Sequence, residues 1–231
     1  MELIEALRTT GSIRTFSEQP VTDEVLWCVL DDARFAPSGG NRQAWRVIVV
    51  RSAAQRLAVR DIYLDAWHDY VAHVLAGQVP FSPLASGDDR SAAIAQREKA
   101  VKLSTPDGFP ETLHEVPAML VVCADLALLA ATDRDLERYQ MVGGASIYPF
   151  VWSILLAARA RGLAGVMTTV ATRNEGDVLE ALSIPSTFAV ASVVALGYPT
   201  KRHTKLRREA VNNFTTIDSF DGSAFTAQQP I

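Results

Sequence analysis

The stretch Ala33–Trp45, ARFAPSGGNRQAW, runs an apolar helical pattern into Pro-Ser-Gly-Gly-Asn and then straight into a hydrophobic strand. Small, flexible and amide-bearing residues between two buried elements admit two readings. One is a tight helix-to-strand turn, for which proline, serine, glycine and asparagine are the usual residues. The other is a cradle for a flat polar ligand. Gly39 and Gly40 let the backbone approach a ring closely, while the amides of Asn41 and Gln43 both donate and accept. The loop alone does not choose between them.

The flanking elements set the frame. Upstream, Thr22 is placed to cap a helix, Asp23 and Glu24 suit its positive end, and Val21 can staple onto Leu26. Leu26, Val29, Leu30 and Ala33 recur at helical spacing and form its buried face. Further upstream, Leu3, Ile4 and Leu7 share one face of a short opening helix that Gly11 and Ser12 end. Downstream, WRVIVV is rich in β-branched residues and predicts a strand, and a long ring-bearing helix follows it. PAMLVVCAD, apolar throughout, reads as a central strand. SIYPFVWSILLAARARGL carries the stripe Ile147, Val151, Ile154, Leu155 and Ala158. Arg159 and Arg161 suit the negative end of its dipole, Gly162 is placed to cap it, and Pro149 marks a first turn or a kink. GVMTTV, a helix near 174–182 and the strand TFAVASVVALGY complete the order α-α-β-α-α-β-α-β-α-β, a layered α+β domain.

From Gln78 to Glu115 the pattern is mixed. Prolines and glycines bracket one further helix over roughly Asp89 to Leu103, and the stretch from about Asp61 to Glu115 is a candidate lid or insert within a single domain spanning 1–231. Its rings Tyr63, Trp67, Tyr70, Phe81 and Phe109 line a pocket or, in the preferred reading, form helix core.

The chain has 231 residues, 48% of them hydrophobic, and a net charge of -4. This composition gives an ordinary core and argues against a nucleic-acid partner, which would call for a basic face. No leader pattern opens the sequence, and no apolar run approaches the roughly 20 residues needed to span a bilayer, so the expectation is a cytoplasmic protein with no membrane partner. Cys28 and Cys123 read as reduced core thiols. His68 and His73 stand five apart, off a common helical face, and read as surface or lid residues. No zinc, Walker or GxGxxG pattern is present, and no metal site is expected.

What remains is a set of groups suited to a phosphate. Gly11, Ser12 and Arg14 offer flexible backbone, a hydroxyl and a guanidinium. KRHTKLRR, from Lys201 to Arg208, is basic, and in an extended segment Lys205 and Arg207 project to one side. Two cations on one side suit a phosphomonoester, though a solvated basic tail fits as well. A phosphate end and a ring-edge end together describe a mononucleotide-like cofactor.

GSIRTF, ARFAPSGGNRQAW, AARARGLAGVMTT, ALGYP and KLR, in this order, resemble the FMN-dependent nitroreductase family. The resemblance implies an α+β sandwich with a mixed, mostly antiparallel sheet flanked by helices, built as an intertwined homodimer with FMN at each interface. It places Ser12 and Arg14 where the family's N-terminal loop grips FMN, on the phosphate or the ring edge. It places Lys205 and Arg207 on the phosphate. It puts Pro37, Ser38, Gly39, Asn41 and Gln43 in the loop that meets the cofactor, partly from the opposite subunit, and Met167, Thr168 and Thr169 near the reactive edge of the ring. Two positions depart from the pattern. Thr10 stands where the family usually has a basic residue, which leaves Arg8 or the C-terminal pair to compensate, and Ala44 replaces a proline. The implied activity is ping-pong hydride transfer from NADH or NADPH, through FMN, to a small nitroaromatic or quinone-like acceptor, with no side chain assigned as acid or nucleophile. Reductive dehalogenation, flavin fragmentation and flavin binding without turnover are the other readings.

Overall fold

A computed structural model describes residues 2–103, 105, 108–203 and 205–226. Four strands form one sheet: β1 (Trp45–Val49), β2 (Ala118–Asp125), β3 (Ala164–Thr168) and β4 (Phe188–Gly197), in the spatial order β1-β2-β4-β3 and antiparallel at every pairing. Among the described residues the one parallel feature is an isolated bridge between Ser12 and Gly165, which lays the N-terminal loop along the free edge of β3.

Both faces of the sheet are covered, which is why β2 is apolar at every position but its last. On one face, α2 (Asp23–Ala33) and α7 (Tyr148–Ala160) pack against Leu120, Val122, Val194 and Leu196. On the other, α3 (Ala53–Leu75), the short α6 (Phe109–Thr112) and α8 (Glu175–Ala181) cover Met119, Val121, Val193 and Ala195. The numbers alternate between faces because strand side chains do. A bulge between Val122 and Cys123 shifts the register, so Val122 pairs with Ser192 and Cys123 with Val190.

The capping signals operate as the sequence predicts. The Thr22 hydroxyl accepts from the Val25 amide at 3.4 Å, and Val21 and Leu26 are both buried. Leu26, Val29 and Ala33 are buried, with Leu30 half-buried beside them. Pro149 sits in the first turn of α7, and Gly162 ends that helix with φ of 79°. Gly165 is fixed by close approach, since a Cβ there would lie 2.2 Å from the Ala195 carbonyl oxygen.

The structure corrects several expectations. The helix expected over roughly 89–103 is two helices, α4 (Gly87–Ala95) and α5 (Arg97–Val101), with Gln96 between them. A Ser86–Asp89 capping box starts α4 two residues earlier than expected. Both pack on α3, where Arg97 bridges Asp69 at 2.6 Å and also pairs with Asp65. His73 is buried, its Nδ1 3.0 Å from Gln78 Oε1 and its ring edge-on to Phe81. Cys123 is buried as expected, and burial pushes its thiol up to about 11, whereas Cys28 is only half-buried. Among the described residues, the helical stretch Val142–Ala160 is long and apolar enough to cross a membrane by length and composition. In this fold its α7 portion is instead the inner helix of the larger core, with Val151, Ile154 and Ala158 fully buried.

Candidate functional site

At one edge of the sheet, the amide of Ile13 donates to the Gly165 carbonyl at 2.9 Å. This contact fixes Ser12 and Arg14 outside β3, both exposed. Arg14 lies with its guanidinium carbon 5.9 Å from the centre of the Phe109 ring. Phe109 meets Tyr63 edge-on, and the Thr168 hydroxyl donates to the Tyr63 hydroxyl at 3.3 Å. One continuous set of contacts therefore runs from Arg14 through Phe109 and Tyr63 to the end of β3, where Met167 and Thr168 are half-buried and Thr169 is exposed. The C-terminal segment closes on the same place, since Leu206 packs against Gly11 and leaves Lys205 and Arg207 exposed on either side of it. Ser12, Arg14, Met167, Thr168, Thr169, Lys205 and Arg207 are thus gathered at one edge.

Pro37, Ser38, Gly39, Asn41 and Gln43 form a second group at the start of β1, the opposite edge. Three sheet spacings of about 4.8 Å put the two edges roughly 14 Å apart. Along the strands the two groups are offset: Trp45 is level with Ala124 and Ala189, Thr168 with Val193 four residues further along β4, and Gly165, which Ser12 bridges, with Leu196 toward the other end. Within the loop, Gly40, Asn41 and Gln43 have φ of 60°, 52° and 50°. A side chain in this left-handed region is strained, asparagine less than glutamine. The loop is held there by two bonds, one local and one distant in sequence: the Ser38 hydroxyl accepts from the Gln43 amide at 2.9 Å, and the Ser146 hydroxyl accepts from the Gly39 amide at 3.0 Å. Trp45 stacks on Phe150 at 4.5 Å with parallel rings and anchors the strand behind it. The exposed amides of Asn41 and Gln43 are 3.4 Å from each other.

Sequence reasoning missed Ser146 and the long connection from Leu126 to Met141, which forms the loop's outer wall through Ala130 against Gly39. GGAS offers no motif signal, so only the fold could show it. Of the five rings considered as pocket lining, Tyr63 and Phe109 are core at 2% exposure each, as the helix-core reading has it. Trp67, Tyr70 and Phe81 are half-buried, and Trp67 stacks on Tyr70 at 4.9 Å. A cleft of about 770 Å³ lies beside the N-terminal loop between Arg14, Glu18, Arg51 and His114, and shares only Arg14 with the predicted set. Among the described residues, no group of histidine, cysteine and carboxylate side chains is placed to hold a metal ion.

The family model named Nitroreductase family matches residues 7–198. The chain belongs to the nitroreductase family. A protein of Archaeoglobus fulgidus provisionally named NADH dehydrogenase/NAD(P)H nitroreductase is 29% identical over 210 residues, which are 86% of each chain. FMN reductase [NAD(P)H] of Bacillus subtilis is 23% identical over 93% of this chain and 74% of its own length. Among solved structures, iodotyrosine deiodinase bound to FMN and 3-iodo-L-tyrosine superposes with a TM-score of 0.66, at 20% identity, covering 95% of this chain and all of that one. This nitroreductase-family chain is an oxidoreductase with the fold of that group.

Proposed function

We propose that this protein binds FMN and passes reducing equivalents from NADH or NADPH to a small nitroaromatic or quinone-like acceptor. The observation that carries the reading is the pair of half-sites: a cationic, hydroxyl-bearing edge at Ser12, Arg14, Lys205 and Arg207, and an amide edge at Pro37–Gln43. Their donor sets fit the two ends of a flavin mononucleotide. The cations suit its phosphate, and the paired amide donors and acceptors suit the imide edge of its ring.

In a homodimer, the amide loop of one copy completes the cationic edge of the other, which reconciles two half-sites on opposite edges of one sheet. FMN, when bound, supplies the hydride chemistry of both half-reactions. This chain's residues position and polarise. Arg14 sets a positive charge where the reduced ring gains negative charge. Thr168, held by Tyr63, fixes the end of β3 so that the backbone of Met167–Thr169 lines the reactive edge. Gln43, strained and tied to Ser38, presents its amide without further rearrangement. Helices α4–α6, packed on α3, form the cover of the acceptor side, with Trp67, Tyr70 and Phe81 as its rings. The chain carries two cysteines, Cys28 and Cys123, and both are free, which suits a reducing, cytoplasmic setting.

The test is the visible spectrum of the purified protein under anaerobic addition of NADH and of NADPH. Flavin bands that bleach, and return on adding menadione or nitrofurazone, support the proposal and name the donor. Bands that persist with both donors reject the reductase reading, and protein that refuses added FMN rejects the cofactor.

A further inference from the structure

Behind the Ser12 loop lies a second basic feature that none of the groups above uses. Arg159, in the last turn of α7, and Arg202, just past β4, line the same small cavity with Thr9, Thr10, Gly11 and Gly165. Arg202 is accounted for by the helix end, since its NH groups donate to the carbonyls of Gly162 at 2.9 Å and Leu163 at 3.2 Å. Arg159 is not. One terminal nitrogen donates to the Thr9 hydroxyl at 3.2 Å, but Nε is buried and has no hydrogen-bond partner. Among the described residues no carboxylate pairs with either guanidinium, although Arg161 next door pairs with Asp32. Burial first, and then the charge of Arg159, lower the pKa of Arg202. Two adjacent positive charges and a buried unmatched N–H call for an acceptor carrying negative charge.

We infer that Arg159 and Arg202, with the Gly11 backbone between them and the exposed Ser12, form a phosphate-class anion site. The cavity is only about 10 Å³, the space of one water-sized sphere, so it takes a single anionic oxygen while the remaining atoms lie at its mouth. Resting on the flavin reading above, the anion is the phosphomonoester end of the mononucleotide, and free inorganic phosphate is the other source of the same chemistry. On this assignment Arg159 supplies the charge that Thr10 lacks. Arg8, exposed at the end of α1 (Leu3–Thr9), does not line the cavity.

The experiment compares the full chain with Arg159→Met, Arg202→Lys and the double variant Arg159→Met/Thr10→Arg. Dissociation constants for FMN and for riboflavin, which lacks the phosphate, are measured at one fixed salt concentration. Thermal midpoints are measured with and without inorganic phosphate. The site predicts that Arg159→Met weakens FMN tenfold or more with riboflavin unchanged, that Thr10→Arg restores most of the loss, and that Arg202→Lys, which keeps the charge, loses less than Arg159→Met. Equal weakening of both flavins would make Arg159 a structural residue and overturn the site, as would no change in either together with an undiminished phosphate effect. If FMN discrimination is untouched but stabilisation by phosphate disappears in Arg159→Met, the site stands and its occupant is the free ion. If neither flavin binds the parent protein, the functional reading fails, and the phosphate arm alone then upholds or rejects the anion site.

Discussion

Gln43 concentrates a conflict between stability and binding in one residue. Its φ of 50° costs a non-glycine residue about 1–2 kcal/mol, and its neighbour Asn41 shares the same backbone region. Nothing in the core requires a side chain there, because Gln43 is exposed and Ser38 holds it through the backbone amide. Gln43→Gly is therefore expected to raise unfolding free energy by up to about 1 kcal/mol, the gain being trimmed by the extra entropy of glycine in the unfolded chain. The same change deletes an amide from the proposed ring edge and should weaken FMN binding severalfold. Urea unfolding and flavin titration of one variant check both signs; a variant that is less stable, or that binds FMN unchanged, contradicts the account. The conformation of this loop was only partly readable in the sequence. Gly39-Gly40 announces a tight approach, but the left-handed Asn41 and Gln43 depend on bonds to Ser38 and, through Gly39, to Ser146, 107 positions away. Local propensity carries no trace of such a contact.

Among the elements, the legible ones are those whose stability is local or whose burial is periodic. Helix α7 has its stripe, proline and terminal glycine, and β2 has its unbroken apolar run. The division of α4 from α5 was not legible, because Gln96 and Arg97 have good helical propensity. The break is set by tertiary contacts, Arg97 turning to reach Asp65 and Asp69 on α3. The long connection 126–146 also escaped notice, and it is organised by one carboxylate. Asp133 is 2% exposed, and its Oδ2 accepts from the amides of Met141 at 2.8 Å and Val142 at 3.2 Å and from Arg138 at 2.9 Å. The Met141 amide foremost, with Val142 and Arg138, holds the carboxyl below the usual aspartate range against the opposing effect of burial. A depressed folded value means that the anchoring is fully present above the unfolded value near 3.9 and is lost as pH falls through the folded one. Hydrogen exchange of this connection, corrected for intrinsic rates, should therefore stay flat from pH 7 to about 5 and rise below about 4. Asp133→Asn should raise it already at pH 7 and abolish the acid step. An acid step that survives the substitution would assign the transition to another group.

The whole molecule leaves apolar surface at both chain ends that its own core does not use. Leu3, Ile4 and Leu7 on α1 are 65%, 59% and 44% exposed, and Phe214, Phe220 and Phe225 in the tail are 66%, 95% and 51% exposed. The tail is nonetheless structured. Thr216 bridges Ala224, the Ile217 amide donates to Ser223 at 3.0 Å, and the Phe225 amide donates to Thr215 at 3.1 Å. Among the described residues, every hydrogen bond of 209–226 stays inside that segment, so the tail is a self-bonded hook whose phenylalanines remain largely exposed. Exposed apolar surface of this kind marks an interaction site. The homodimer proposed above would supply that partner, and it would also account for the amide loop and the cationic edge lying on opposite margins of one sheet. Ending the chain after Arg208 removes the hook but keeps Lys205 and Arg207. Sedimentation at micromolar concentration should then show the full chain as a dimer and the shortened chain largely as monomer. Flavin retention should fall together with the dimer, because in the proposed arrangement each site borrows the Pro37–Gln43 loop of the other copy. A shortened chain that loses the dimer yet keeps FMN would place the whole site within one copy. One that keeps both would show that the hook, and the phenylalanines it carries, play no part in holding the copies together.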